Sequence, residues 1–101
     1  MDVISPAELG EFVGSDKVTL LDLRREEEFE ENHISGKNLE PVNVYFHSLK
    51  EKGREAVLDA IDTEKVVVVC WNGVCSKAIA RMLESEGFEA MSLRGGMDAW
   101  Y

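Results

Sequence analysis

Four consecutive valines, Val66 to Val69, are the most apolar stretch of the chain, and no polar position interrupts them. A β-branched run of this kind suits a strand covered on both faces, as at the centre of a parallel sheet. It ends at Cys70, and the loop Trp71-Asn72-Gly73-Val74-Cys75-Ser76 follows. The pattern then changes to a helical one. Ile79, Met82 and Leu83 form an apolar face, Ser76 stands where a cap belongs, and Gly87 ends the segment. Val18 to Leu23 reads as a second buried strand, with Asp22 and Arg24 at its C-terminal end. Leu39 to Val44 reads as a third, in which Pro41 favours an edge or an end. Ala90 to Leu93 is the last.

Between the strands the apolar spacing is helical. Ser5-Pro6-Ala7-Glu8 has the form of a capping box with proline at the first helical position. Leu9, Phe12 and Val13 make a stripe behind it, and Gly14 suits a C-cap. Glu26 to Asn32 predicts a short acidic helix with Phe29 inward, followed by a turn at His33-Ile34-Ser35-Gly36. Phe46, Leu49, Val57, Leu58 and Ile61 suit one or two helices interrupted near Gly53. Gly95-Gly96 reads as a turn before a short terminal helix that ends at Trp100 and Tyr101. Strands alternating with helices imply an α/β sandwich with a mostly parallel sheet. In such folds ligands bind beyond the carboxyl ends of the strands, which is where Cys70 falls.

Composition narrows the function. The 101 residues carry a formal net charge of −9, which argues against nucleic acid and anionic membranes as partners, since both need a basic face. The same field repels anionic substrates, so an anion site must be built locally. Much of the acid lies in Glu26-Glu27-Glu28 and Glu30-Glu31, read first as a solvated helix face and second as a docking patch for a basic partner. No aliphatic run is long enough to span a bilayer. The first residues lack a basic region and an apolar core, so an intracellular, cytoplasmic location is expected. Two cysteines and two distant histidines do not make a metal site, and no metal or cofactor is expected.

Cys70, at a strand end facing the start of a helix, stands where a thiol can be held as a thiolate by partial positive charge and free N–H groups. The competing reading, a free cysteine buried as core, is the weaker one in this strand–loop–helix context. A structural Cys70–Cys75 disulfide would close only a short loop and stabilise little, which leaves a labile, functional one open.

Around that loop the chain resembles the single-domain rhodaneses, the rhodanese-homology sulfurtransferases. Leu20-Leu21-Asp22-Leu23-Arg24, Glu28-Phe29 and His33-Ile34-Ser35-Gly36 look like the family's Asp-x-Arg, Glu-Phe and His-Ile-x-Gly signature. Cys70 to Ser76 resembles its active-site loop, and Leu93-Arg94-Gly95-Gly96 with Trp100 its closing motif. The resemblance implies one domain over residues 1–101, a three-layer sandwich on a mostly parallel five-stranded sheet. It implies transfer of sulfane sulfur from thiosulfate, a persulfide or a polysulfide to a thiol, protein or cyanide acceptor through a Cys70 persulfide, by a monomer or weak homodimer. Cys70 is then the nucleophile. Trp71, Asn72, Gly73, Val74, Cys75 and Ser76 form the substrate cradle, whose N–H groups point inward as an anion nest. Gly73 suits dihedrals closed to other residues. Asp22, Arg24 and His33 give structural support, Trp71 walls the pocket or is simply exposed at its mouth, where an aromatic can receive a partner protein, and Trp100 packs.

The loop departs from the family in two linked ways. The family often carries an arginine where this chain has Cys75, so the loop holds no cation. Lys77, Arg81 and Arg94 are the next candidates, and thiosulfate is expected to be a poorer donor than a persulfide. Cys75 is either small filler in the arginine's place or a resolving, redox-active thiol. Phosphatase or arsenate reductase chemistry would need an arginine six positions after Cys70, where Ser76 stands. The alternative of another class is a non-catalytic or redox-regulatory binding module using the Cys70/Cys75 pair.

Overall fold

The computed structural model describes residues 3–34, 36–48, 53, 55–71 and 74–96. Five strands, β1 (Val3–Ile4), β2 (Val18–Asp22), β3 (Leu39–Asn43), β4 (Lys65–Val69) and β5 (Glu89–Leu93), form one sheet in the order β1-β5-β4-β2-β3. Every pairing is parallel. The α/β sandwich with a parallel five-stranded sheet is therefore as expected. The fifth strand is the two-residue β1, whose Val3-Ile4 is too short to show alternation.

The valine run occupies the sheet interior, and all four valines are fully buried. Their side chains alternate between two cores. Val67 and Val69 join Leu20, Leu93 and the helix α1 (Leu9–Val13) on one face. Val66, Val68 and Cys70 join Leu21, Ala80, Leu83 and Val57 on the other. That second face carries α3 (Glu55–Ala60) and α4 (Val74–Ser85). Two covered faces explain why no polar position breaks the run.

The Ser5–Glu8 capping box is present, with the Ser5 hydroxyl accepting from the Glu8 N–H at 3.2 Å and the Glu8 carboxylate accepting from the Ser5 N–H at 2.9 Å. It opens a 3-10 turn, Pro6–Glu8, that runs into α1. In α1 a Cβ on Gly10 would meet nothing within 4 Å. Gly10→Ala is therefore expected to raise stability by about 0.5–1 kcal/mol, read as a shifted denaturant midpoint with an unchanged slope.

Among the described residues β3 is an edge strand, so Pro41 stands where one side of the strand pairs with no other described strand. After a 3-10 turn at Phe46–Ser48, residues 49–52 and 54 lie outside the described set, and with them Leu49 of the expected helix. The short helix before Trp100 also lies outside it.

The chain leaves β2 toward β3 at one edge, then returns across the sheet to β4 and on to β5. Strand order thus reverses between β2 and β4, the position at which open α/β sheets form their ligand crevice. Hydrogen bonds from Leu23 N–H to Val69 C=O (2.8 Å) and from Phe46 N–H to Leu23 C=O (3.0 Å) draw the loops there together.

Candidate active site

Cys70 leaves β4 at this crevice. It is a free thiol, 7% exposed, on the floor of a pocket of about 410 Å³. Cys75, the second free thiol, lines the same pocket from the first turn of α4 and is half-buried. Leu23, Arg24, Arg25 and Glu28 close the pocket from the β2 end, Tyr45, Phe46 and His47 from the β3 end, and Trp71 from the Cys70 loop.

The Cys70 sulfur lies 3.5 Å from Ser76 Oγ, and Ser76 Oγ lies 2.6 Å from Ser92 Oγ of β5. Both serines are fully buried. Ser76 was expected to cap the helix, but α4 already includes Val74 and Cys75. That places Ser76 in the third helical position, turned inward, so its hydroxyl serves the sulfur instead of the helix end. Ser92 gave no motif; its one sequence signal is a hydroxyl in an otherwise apolar strand end. Ser76→Ala would strand the Ser92 hydroxyl and is expected to cost about 1–2 kcal/mol. It should also slow turnover roughly ten- to a hundredfold. The double variant with Ser92→Ala should recover stability but not turnover, which separates the two effects; turnover unchanged in Ser76→Ala would confine the serine to packing.

Asp22 and Arg24 meet as a buried pair. Arg24 Nη2 and Nε donate to Asp22 Oδ2 at 2.8 and 3.1 Å, and Asp22 Oδ1 also accepts the Arg24 N–H at 3.0 Å. Arg24 Nη2 donates further to the Asn32 carbonyl, which ties the end of α2 (Glu26–Glu31) to the strand end. The guanidinium lies 5.1 Å from the centre of the Trp71 ring. A buried pair of this kind holds only if both charges are matched, so it fixes the strand end against which Trp71 and the end of α2 rest. Asn43 adds bonds from its side chain to the Asp22 and Arg24 carbonyls.

His33 does not line the pocket. Its Nδ1 lies 2.8 Å from the Phe29 carbonyl and its ring stacks on Phe29 at 4.3 Å. Trp71 is 44% exposed, the one large exposed apolar side chain among the described residues. Asn72, Gly73, the Val74 side chain and Trp100 lie outside the described set. The three cations named from sequence do not line the pocket either: Lys77 and Arg81 are exposed on α4, and Arg94 follows β5 near Glu8. Among the described residues the cations that line it are Arg24 and Arg25, which the sequence had not singled out for this role. The signal was available, because in a parallel sheet residues just past every strand's C-terminus face the same crevice.

Gly96 closes the site from behind. At φ +60° its ideal Cβ would stand 2.1 Å from the Cys70 carbonyl oxygen and 2.6 Å from that of Trp71. The Gly95-Gly96 turn thus lets two backbones touch beneath Cys70.

Comparison with known proteins bears on the family and the fold. Residues 5–101 match the Rhodanese-like domain family. The chain is 31% identical over 99 residues to the thiosulfate sulfurtransferase GlpE of Actinobacillus pleuropneumoniae serotype 3, covering 96% of this chain and 83% of that protein. Its fold is similar to a rhodanese-like domain protein from Staphylococcus aureus, with a TM-score of 0.72 and 26% identity over 100% of this chain and 92% of the other. It is also similar to a NAD-dependent persulfide reductase from A. fulgidus, with a TM-score of 0.68 and 30% identity over 100% of this chain and 16% of that one. A cysteine at the switch point, the Asp22–Arg24 brace and the closing glycines thus stand together in a chain that belongs to the Rhodanese-like domain family.

Proposed function

We propose that this chain is a single-domain sulfurtransferase that carries sulfane sulfur on Cys70. One observation carries the reading: Cys70 is a free thiol on the floor of a pocket at the sheet's switch point, with its sulfur beside the buried Ser76 hydroxyl. In the first step the Cys70 thiolate attacks the outer sulfur of thiosulfate. The S–S bond of the donor breaks, its electron pair leaves with sulfite, and Cys70–S–S⁻ remains. In the second step cyanide or a thiolate attacks the terminal sulfur, leaves as thiocyanate or a persulfide, and returns Cys70–S⁻. This is covalent catalysis in two half-reactions.

The hydroxyls assist by changing sense. With Cys70 as a thiol, Sγ donates to Ser76 Oγ; with a thiolate, Ser76 donates to sulfur while accepting from Ser92, and the chained bonds strengthen one another. The N–H groups of residues 71–76 are the proposed cradle for the terminal sulfur. Asp22, Arg24 and His33 support this site structurally.

A second reading is favoured by Cys75 lining the same pocket. Its thiol can attack the inner sulfur of the Cys70 persulfide, releasing HS⁻ and leaving a Cys70–Cys75 disulfide, which an external dithiol would reduce. That chemistry would make the site redox-regulatory, and Cys75→Ser would abolish sulfide release while keeping sulfur transfer.

The thiosulfate–cyanide reaction tests the main reading. Thiocyanate should form with parallel double-reciprocal lines as both substrates are varied, the pattern of a covalent carrier. Intersecting lines would exclude a persulfide carrier, and no thiocyanate together with no sulfur uptake would leave a binding module.

A further inference from the structure

A thiolate and thiosulfate are both anions, so the donor needs a cation to hold its sulfonate while its outer sulfur meets Cys70. The net charge of −9 opposes its approach, and the segment from Cys70 to Ser76 contains no lysine or arginine. Two arginines nonetheless lie in the pocket wall. Arg24 is 4% exposed and committed to Asp22 and the Asn32 carbonyl. Arg25 is exposed and stands just before α2, on the same pocket as Cys70.

Tyr45 lines the same wall, and the Tyr45 phenol first, then the charges of Glu28 and Glu27, favour the charged guanidinium. Tyr45 is braced in turn by an edge contact to the His47 ring at 5.3 Å. Glu28, the one carboxylate in this pocket wall among the described residues, takes the Arg25 backbone N–H on Oε1 at 3.3 Å. A guanidinium presents paired N–H donors that match two oxygens of one oxyanion, which an ammonium cannot do.

We infer that Arg25 is the anion subsite of the Cys70 pocket: it binds the sulfonate of thiosulfate-type donors and takes the place of a loop arginine in setting donor selectivity. The inference rests on the sulfurtransferase reading. In the half-reaction above, the S–S electron pair departs on sulfite, and Arg25 faces that growing charge. The loop's lack of a cation then no longer makes thiosulfate a poor donor, because the cation comes from the end of β2.

The test compares kcat/KM for thiosulfate with that for benzyl persulfide, whose organic group carries no fixed charge, in wild type, Arg25→Gln, Arg25→Lys and Lys77→Gln. Arg25→Gln should lower the thiosulfate-to-benzyl-persulfide ratio about tenfold, mainly through the thiosulfate KM. Arg25→Lys should recover part of it, since it keeps the charge and loses the paired geometry. Lys77→Gln, a charge change outside the pocket, should leave the ratio at its wild-type value. Equal losses with both donors, or an unchanged ratio in Arg25→Gln, would overturn the inference. A wild type that accepts benzyl persulfide but not thiosulfate would overturn it and leave sulfur transfer standing. A wild type that accepts neither would remove both.

Discussion

Exchange of Cys70 for serine is expected to lower sulfur transfer at least about a thousandfold while the chain stays folded. The Ser76 and Ser92 hydroxyls can polarise a sulfur, but they cannot store one. An alcohol at position 70 has no stable sulfur-bearing intermediate, so both half-reactions fail together. The fold should tolerate the change, because serine is smaller than cysteine and can keep the bond to Ser76 Oγ. Stability within about 1 kcal/mol of wild type, combined with lost turnover in both donor assays, is the expected pair of results. Residual turnover within tenfold of wild type would move the chemistry to another group, Cys75 being the other free thiol.

Gly96→Ala is expected to have the largest effect on stability. A Cβ 2.1 Å from the Cys70 carbonyl oxygen cannot be accommodated by a side-chain rotation, since the atoms it meets are backbone. The φ of +60° adds strain for any residue with a Cβ. A cost of about 3 kcal/mol follows, which in a chain of this size lowers Tm by roughly 10–20 °C. Any protein that still folds should relieve the clash by shifting the Cys70–Trp71 backbone, so turnover should fall even well below the new Tm. Gly10→Ala, with open space around its Cβ, is the matching control for glycine replacement as such. An unchanged Tm in Gly96→Ala would contradict the close backbone contact.

The parts of this site that could be read in sequence were those built from a local pattern. The valine run gave β4, and the change of period after it placed Cys70 between a strand end and a helix. The capping box at Ser5–Glu8 and the edge position of Pro41 followed from the backbone needs of those residues. What escaped were relations set by the sheet. β1 has two residues and exists because β5 offers it an edge. Ser92 matters because β5 lies beside β4, which puts its hydroxyl on Ser76. Arg25 and Tyr45 stand far apart in the chain and line one pocket because β2 and β3 end at the same crevice. The helix starts three residues earlier than a cap at Ser76 implies, because a serine that looks like a cap can also turn inward to a sulfur.

The central claim is that Cys70 carries the transferred sulfur, and intact mass measures it most directly. Reduced protein would be exposed to thiosulfate and, separately, to benzyl persulfide, with Cys70→Ser and Cys75→Ser treated in parallel. The account predicts a gain of one sulfur atom in wild type and in Cys75→Ser, absent in Cys70→Ser and removed by cyanide. A folded wild-type protein that gains no sulfur from either donor, or a gain that survives in Cys70→Ser, would contradict it.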